Sequence, residues 1–114
     1  MKIIKYQPPQ ETKATIMVDD KDLLGYYPWN EAIKQIEWLN SIKYKGYGNW
    51  RLPDKEELSE LYEQRSIIGG FSSSYYWSRT ERSNSSAWNQ YFNDGRQYSY
   101  DKSCYYRVRC VRDV

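Results

Sequence analysis

Thirteen tyrosines, five tryptophans and two phenylalanines fall in a chain of 114 residues. Aromatics make up 18% of it, all apolar residues together only 39%, and the mean hydropathy is −0.98. Chains this polar tend to disorder, but disordered chains are poor in aromatics. The combination therefore demands a folded domain whose core is aromatic-rich and whose surface carries tyrosine as well. At 114 residues there is room for one domain, 1–114. Burial of roughly two-thirds of the unfolded surface gives such a domain a core without help from metal or disulfide.

Several function classes drop out. Histidine is absent, which removes Ser-His-Asp and Cys-His nucleophile schemes and every His-ligated metal site. No clustered carboxylate set with the six to eight oxygens of a Ca²⁺ site is visible. The expectation is a protein that is not an enzyme and needs no cofactor or metal. No run of 18 apolar residues exists to span a membrane. The start, Met1–Lys2–Ile3–Ile4–Lys5–Tyr6, turns polar too soon for a signal peptide. The expected location is the cytoplasm, or display on a virion or by non-standard export. Cys104 and Cys110 lie six residues apart in an extended stretch, a span of about 20 Å. A disulfide needs Cα atoms within ~7 Å, so both are expected as free thiols.

The element reading is α+β. Lys2–Tyr6 and Ala14–Val18 read as strands, the first ended by Pro8–Pro9. Pro28 suits a first helical turn, and Ala32, Ile33, Ile36 and Leu39 follow at helical spacing. Lys43–Gly48 ends that helix. Asp54 with Glu57 three residues on forms a capping box. Leu58, Leu61 and Tyr62 give the second helix its apolar face, and Gly69–Gly70 closes it. From Phe71 onward the pattern is β. Trp88, Gln90 and Phe92 alternate, Asn93–Asp94–Gly95–Arg96 marks a hairpin, Tyr98 and Tyr100 return, and Tyr106, Val108 and Cys110 alternate on a last strand. The N-terminal strand is expected to close back onto that last strand.

Four motifs carry a resemblance. They are Asn49–Trp50–Arg51–Leu52–Pro53 with Lys55–Glu56–Glu57–Leu58 and Leu61–Tyr62; Tyr76–Trp77–Ser78–Arg79–Thr80–Glu81; Ala87–Trp88 with Phe92 and Gly95; and Val108–Arg109–Cys110–Val111–Arg112. In this order, over Trp29 to Arg112, the sequence resembles a bacterial and viral family typified by the C-terminal domain of collagen-like adhesins (Lcl C-terminal-like). That family is related to the formylglycine-generating-enzyme-like branch of the C-type lectin fold. Arg79 and Cys110 depart from it, where Ser and Pro are usual. The resemblance implies a C-type-lectin-like fold, two helices packed on a small antiparallel sheet with a β-rich C-terminal half. The fold's calcium chemistry does not carry over: no Glu-Pro-Asn or Gln-Pro-Asp triplet occurs, and Trp88–Asn89–Gln90 lacks the acid of Trp-Asn-Asp.

The segment 75–109 has paratope-like composition. Tyr, Ser, Asn and Asp supply 18 of its 35 residues, and Arg stands at 79, 82, 96, 107 and 109 against a lone Lys102. Tyrosine gives rigid contact area and Ser/Asn adaptable hydrogen bonds, while Arg is enriched at hot spots. Within the resemblance there is a second implication. Diversity-generating retroelements randomise adenines, turning Asn codons into Tyr, Ser, Asp, Arg, Cys and other codons but never into Lys, Glu, Gln, Met or Trp codons. Trp77, Thr80, Glu81, Trp88, Phe92, Gly95 and Lys102 then read as a fixed frame among variable positions, as in a retroelement variable protein. The expected ligand-binding residues are Arg79, Arg82, Ser83, Asn84, Ser86, Tyr91, Asn93, Asp94, Arg96, Tyr98, Tyr100, Ser103, Tyr105 and Arg107. Trp50, Trp77 and Trp88 are expected in the core, Tyr76 and Tyr106 as structural, Arg51 and Glu81 as a buried pair, and Glu56, Glu57, Glu60 and Glu63 as a solvated face.

The expected function is non-enzymatic binding of a protein ligand. One alternative is a single-stranded nucleic-acid binder, since 75–114 carries seven basic residues against four acidic ones and interleaves them with aromatics. The other is a carbohydrate-binding, lectin-like adhesin domain.

Overall fold

Residues 2–6 and 14–114 are described by the structure, a computed structural model. Two antiparallel sheets divide the strands. Strands β1 (Lys2–Tyr6), β2 (Ala14–Val18), β3 (Trp50–Arg51) and β7 (Val111–Asp113) form one, in the order β1-β2-β7-β3. Strands β4 (Tyr75–Glu81), β5 (Ser86–Tyr91) and β6 (Gln97–Asp101) form the other, in sequence order. The C-terminal strand is closed by β2, with Val18 opposite Val111, and β1 pairs outside β2. Pro8–Pro9 lies outside the described residues.

Helix α1 (Trp29–Ser41) starts at Pro28, whose φ of −63° suits a helix but whose ψ of 155° is extended, so Pro28 is the cap rather than the first helical residue. Trp29, Ala32, Ile36 and Leu39 recur every three or four residues and are the ones it buries. The backbone leaves α1 through left-handed Lys43 (φ 56°) and Lys45 (φ 52°), around a 3-10 turn at Tyr44–Gly46. Left-handed backbone costs roughly 1 kcal/mol for a residue with a Cβ. It is offset by the Lys45 ammonium, which reaches Asp19 and Asp20 at 2.7 Å each.

Helix α2 (Lys55–Glu63) carries the expected capping box: Asp54 accepts from the Glu57 amide at 2.8 Å, and Glu57 from the Asp54 amide at 2.9 Å. Glu57 departs from the expected solvated face. It is buried because its two carboxylate oxygens also accept both terminal nitrogens of Arg51, at 2.7 and 2.9 Å. Arg51 is thereby taken from its expected partner, Glu81, which binds Lys102 at 2.7 Å instead. The helix breaks at Gln64 and resumes as α3 (Arg65–Ile68), which Gly69 ends at φ 81°, so one expected helix is two.

The expected last strand is also different. Val108 and Cys110 are buried on one side and Arg109 on the other, as alternation requires. Yet Tyr106–Val108 bonds to two flanking segments rather than to a ladder: Tyr106 exchanges both backbone bonds with Tyr27, Val108 accepts from Leu23, and Arg107 bonds to Tyr75 and Trp77. This segment extends the β4-β5-β6 sheet by one short rung. Opposite it, fully buried Arg109 donates to Asp22 at 2.9 Å and to the carbonyls of Asp19 and Gly69, over the ring of Phe71. Gly70 is required here, at φ 80°, because a Cβ would meet the Asp20 carbonyl at 2.7 Å and Arg109 at 3.0 Å.

Two cores result. One lies between α1, Trp50, Leu52, Trp77, Ala87 and Val108; the other gathers Ile16, Val18, Leu58, Leu61, Tyr76 and Phe92. Trp88 is not in either core. It is half-buried, with the Lys55 ammonium 3.7 Å from its ring centre. Cys104 and Cys110 are free thiols.

Candidate functional site

Register sorts the β4-β5-β6 side chains onto two faces. Tyr75 pairs with Tyr91, Trp77 with Asn89, Asn89 with Tyr98, and Ala87 with Tyr100. Because strand side chains alternate, these seven share one face. Helix α1 packs on only part of it, against Trp77 and Ala87. The rest is closed by tyrosines.

Tyr75 is the centre of that closure. Its ring stacks on Tyr91 at 4.3 Å and 13°, and on Tyr106 at 5.0 Å and 29°. The edges of Tyr98 and Tyr100 approach it at 6.1 and 5.9 Å, and those two stack on each other at 5.5 Å. Such pairs contribute about 0.5–1.5 kcal/mol each beyond burial, so the five rings hold one another in place. Water excluded by these rings raises the Tyr75 hydroxyl above the ordinary phenol range, with a further push from Tyr100. Burial raises Tyr106 likewise, followed by its hydrogen bond with Cys104. At neutral pH Tyr75 and Tyr106 therefore offer uncharged hydroxyls that can both donate and accept. Asn89 lies beneath, fully buried, with both ends of its amide unpartnered among the described residues.

The expected binding residues do not gather into one face. Tyr91, Tyr98 and Tyr100 join the tyrosine cluster, with Tyr91 and Tyr98 half-buried. Tyr105 projects from the following loop, 67% exposed. Asn93, Asp94 and Arg96 form the turn at the tyrosine end of the sheet, where Asp94 accepts from the Arg96 amide at 2.9 Å. Arg82, Ser83, Asn84 and Ser86 form the β4–β5 turn at the opposite end. There Arg82 reaches Ser99 on the far face and the Asn84 carbonyl accepts from Lys102. Ser103 caps Asp101 in a tight turn. Arg107 turns away from the tyrosines onto Asp22, at 3.0 Å, and the ring of Tyr26. Arg79 stands by α1, its amide bonded to Pro53.

Sequence reasoning misses two members of the cluster. Tyr75 enters it only through the composition of the segment, and Tyr106 is expected as structural. The signal that identifies Tyr75 is its pairing with Tyr91, which needs a register that sequence alone does not supply.

Among the described residues no helix is long and apolar enough to cross a membrane. The sequence model of the Lcl C-terminal domain family matches residues 7–112. No curated protein matches the sequence.

Proposed function

The chain belongs to the Lcl C-terminal domain family, and we propose that it is a non-enzymatic binding module of C-type-lectin-like fold that presents its tyrosine face to a protein ligand. The observation that carries this reading is the mutual stacking of Tyr75, Tyr91, Tyr98, Tyr100 and Tyr106 on a sheet face that α1 leaves uncovered. A monomer gains little from exposing ordered tyrosine, whereas an interface uses its large area at low entropic cost.

Retroelement diversification of 75–109 is part of the proposal. Residues that randomised Asn codons could not produce have fixed duties here. Trp77 is core, Lys102 holds Glu81 and lies 4.2 Å from the Trp29 ring, and Trp88 packs under Lys55. Phe92 and Gly95 lie within reach of randomised Asn codons, but the core and the turn at φ 81° hold them in place. Codon-accessible tyrosines occupy the open face.

The nucleic-acid alternative is weaker on geometry. Base stacking needs cations tracking the phosphates beside the rings, but Arg107 and Arg79 point elsewhere and Arg109 is buried, which leaves Arg96 as the exposed arginine at the tyrosine end. The experiment is an alanine scan of Tyr91, Tyr98, Tyr100 and Tyr105 against a partner selected from a host-surface protein library. One or two of them should each weaken binding by about 2 kcal/mol, roughly thirtyfold, with the fold intact. Steep linear loss of log affinity with log salt for a random oligonucleotide would instead support nucleic acid, and saturable binding to a glycan array would support the lectin reading.

A further inference from the structure

Away from the tyrosines, a pocket of about 220 Å³ opens between α1, β3 and the Arg79 end of β4. Its floor is apolar: Trp50, Ile36 and Leu52 are almost fully buried there, and Ile33 forms one wall. An apolar cavity of about 150 Å³ already admits a benzene-sized guest, so this one takes a branched aliphatic side chain with room to spare. It is smaller than the roughly 300–1,000 Å³ of sites for drug-sized ligands.

Two of the polar groups around it are engaged. Asn40 donates to the Trp50 carbonyl at 2.9 Å and accepts from the Trp50 amide at 2.7 Å. Arg51 is saturated by Glu57 and Asp113. The other two are not. Glu37 on α1 and Arg79 on β4 line the mouth, are exposed, and have no side-chain hydrogen bond or ion pair among the described residues. The lysine nearest Glu37 on its helix, Lys34, is drawn to Glu31. A carboxylate and a guanidinium on separate elements, neither held by a hydrogen bond and both beside an apolar floor, complement a guest that carries both charges next to an apolar group; Arg79 also lies in the field of Asp54 and Asp113. The guanidinium fork suits a carboxylate bidentately.

We propose that this pocket binds a free aliphatic α-amino acid of leucine size. Its carboxylate lies on Arg79, its ammonium on Glu37 and its side chain on Trp50. The site is independent of the tyrosine face. A peptide terminus fits less well, because each end of a peptide supplies only one of the two charges.

The test is titration of L-leucine into ¹⁵N-labelled protein. Saturable shifts are expected at the Trp50 indole and at the amides of Ile36 and Leu52, with a dissociation constant of about 1 mM. Leucinamide and N-acetyl-leucine should each bind at least tenfold more weakly, since each lacks one charge. Arg79→Gln and Glu37→Gln should each lose about tenfold, which is 1.4 kcal/mol, with an unchanged melting temperature. Absence of saturable shifts up to the solubility of leucine overturns the proposal. So does N-acetyl-leucine binding as tightly as leucine, which would make the guest the carboxyl end of a peptide. Either failure leaves the tyrosine scan unaffected.

Discussion

Asp22 accepts from three donors: the Tyr76 hydroxyl at 2.6 Å, Arg109 at 2.9 Å and Arg107 at 3.0 Å. Removing it strands a buried guanidinium, so Asp22→Ala should cost about 3–5 kcal/mol in urea unfolding. Tyr76 gives this network a pH signature. Burial, then the hydrogen bond to Asp22, pushes its pKa up to about 12. A phenol whose folded pKa lies above its unfolded value of roughly 10 favours folding while both states are neutral. That contribution is complete below pH ~10 and is lost as pH rises towards 12. Tyr76→Phe should therefore flatten the fall of the urea midpoint across this window; an unchanged slope would show that Tyr75 and Tyr106 carry it. The tryptophans also separate at this scale. Trp50 is 2% exposed and its alanine variant should lose about 3–5 kcal/mol. Half-buried Trp88 should lose distinctly less, part of it the Lys55 contact at about 0.5–1 kcal/mol.

Local signals are legible at the scale of elements, and non-local ones are not. The capping box of α2 is written in four consecutive positions, 54 to 57, and forms as expected; Asp54→Ala should cost about 1 kcal/mol by thermal unfolding. The burial of Glu57 is not legible, because it depends on an arginine that β3 delivers and Asp113 shares. Nor is the break at Gln64, which neither Gly nor Pro announces. Both N-terminal strands are readable, but not that β2 rather than β1 meets β7, since pairing is settled by packing across the whole molecule. The Asn93–Arg96 turn is visible from Gly95, although its second constraint is hidden. A Cβ on Gly95, at φ 81°, would run into the Tyr62 ring. Gly95→Ala should thus cost more than the ~1 kcal/mol scale of ordinary glycine substitutions, read from urea midpoints.

For the whole molecule, composition locates the tyrosine-rich segment but spreads the site over both faces and both ends of a sheet. The faces become distinct only when Tyr75 is set opposite Tyr91 and Ala87 opposite Tyr100. This changes what the fold should tolerate. Joint replacement of the exposed turn residues Ser83, Asn84, Asn93 and Arg96 by Ser or Ala should leave cooperative unfolding intact, at up to about 0.5 kcal/mol each. Adding Tyr91→Ala and Tyr98→Ala should cost more than that sum, because both rings are half-buried in the stack; additivity would refute the cluster. One contact reaches beyond stability. Tyr106 belongs to the tyrosine cluster, and its ring also lies 4.8 Å from that of Trp77 in the core. Excitation energy absorbed by the exposed rings can pass through Tyr106 to the buried indole of Trp77, one of three shielded tryptophans in that core. Trp77 emission excited through the tyrosines should therefore change if a partner covers the face, a readout that needs no label.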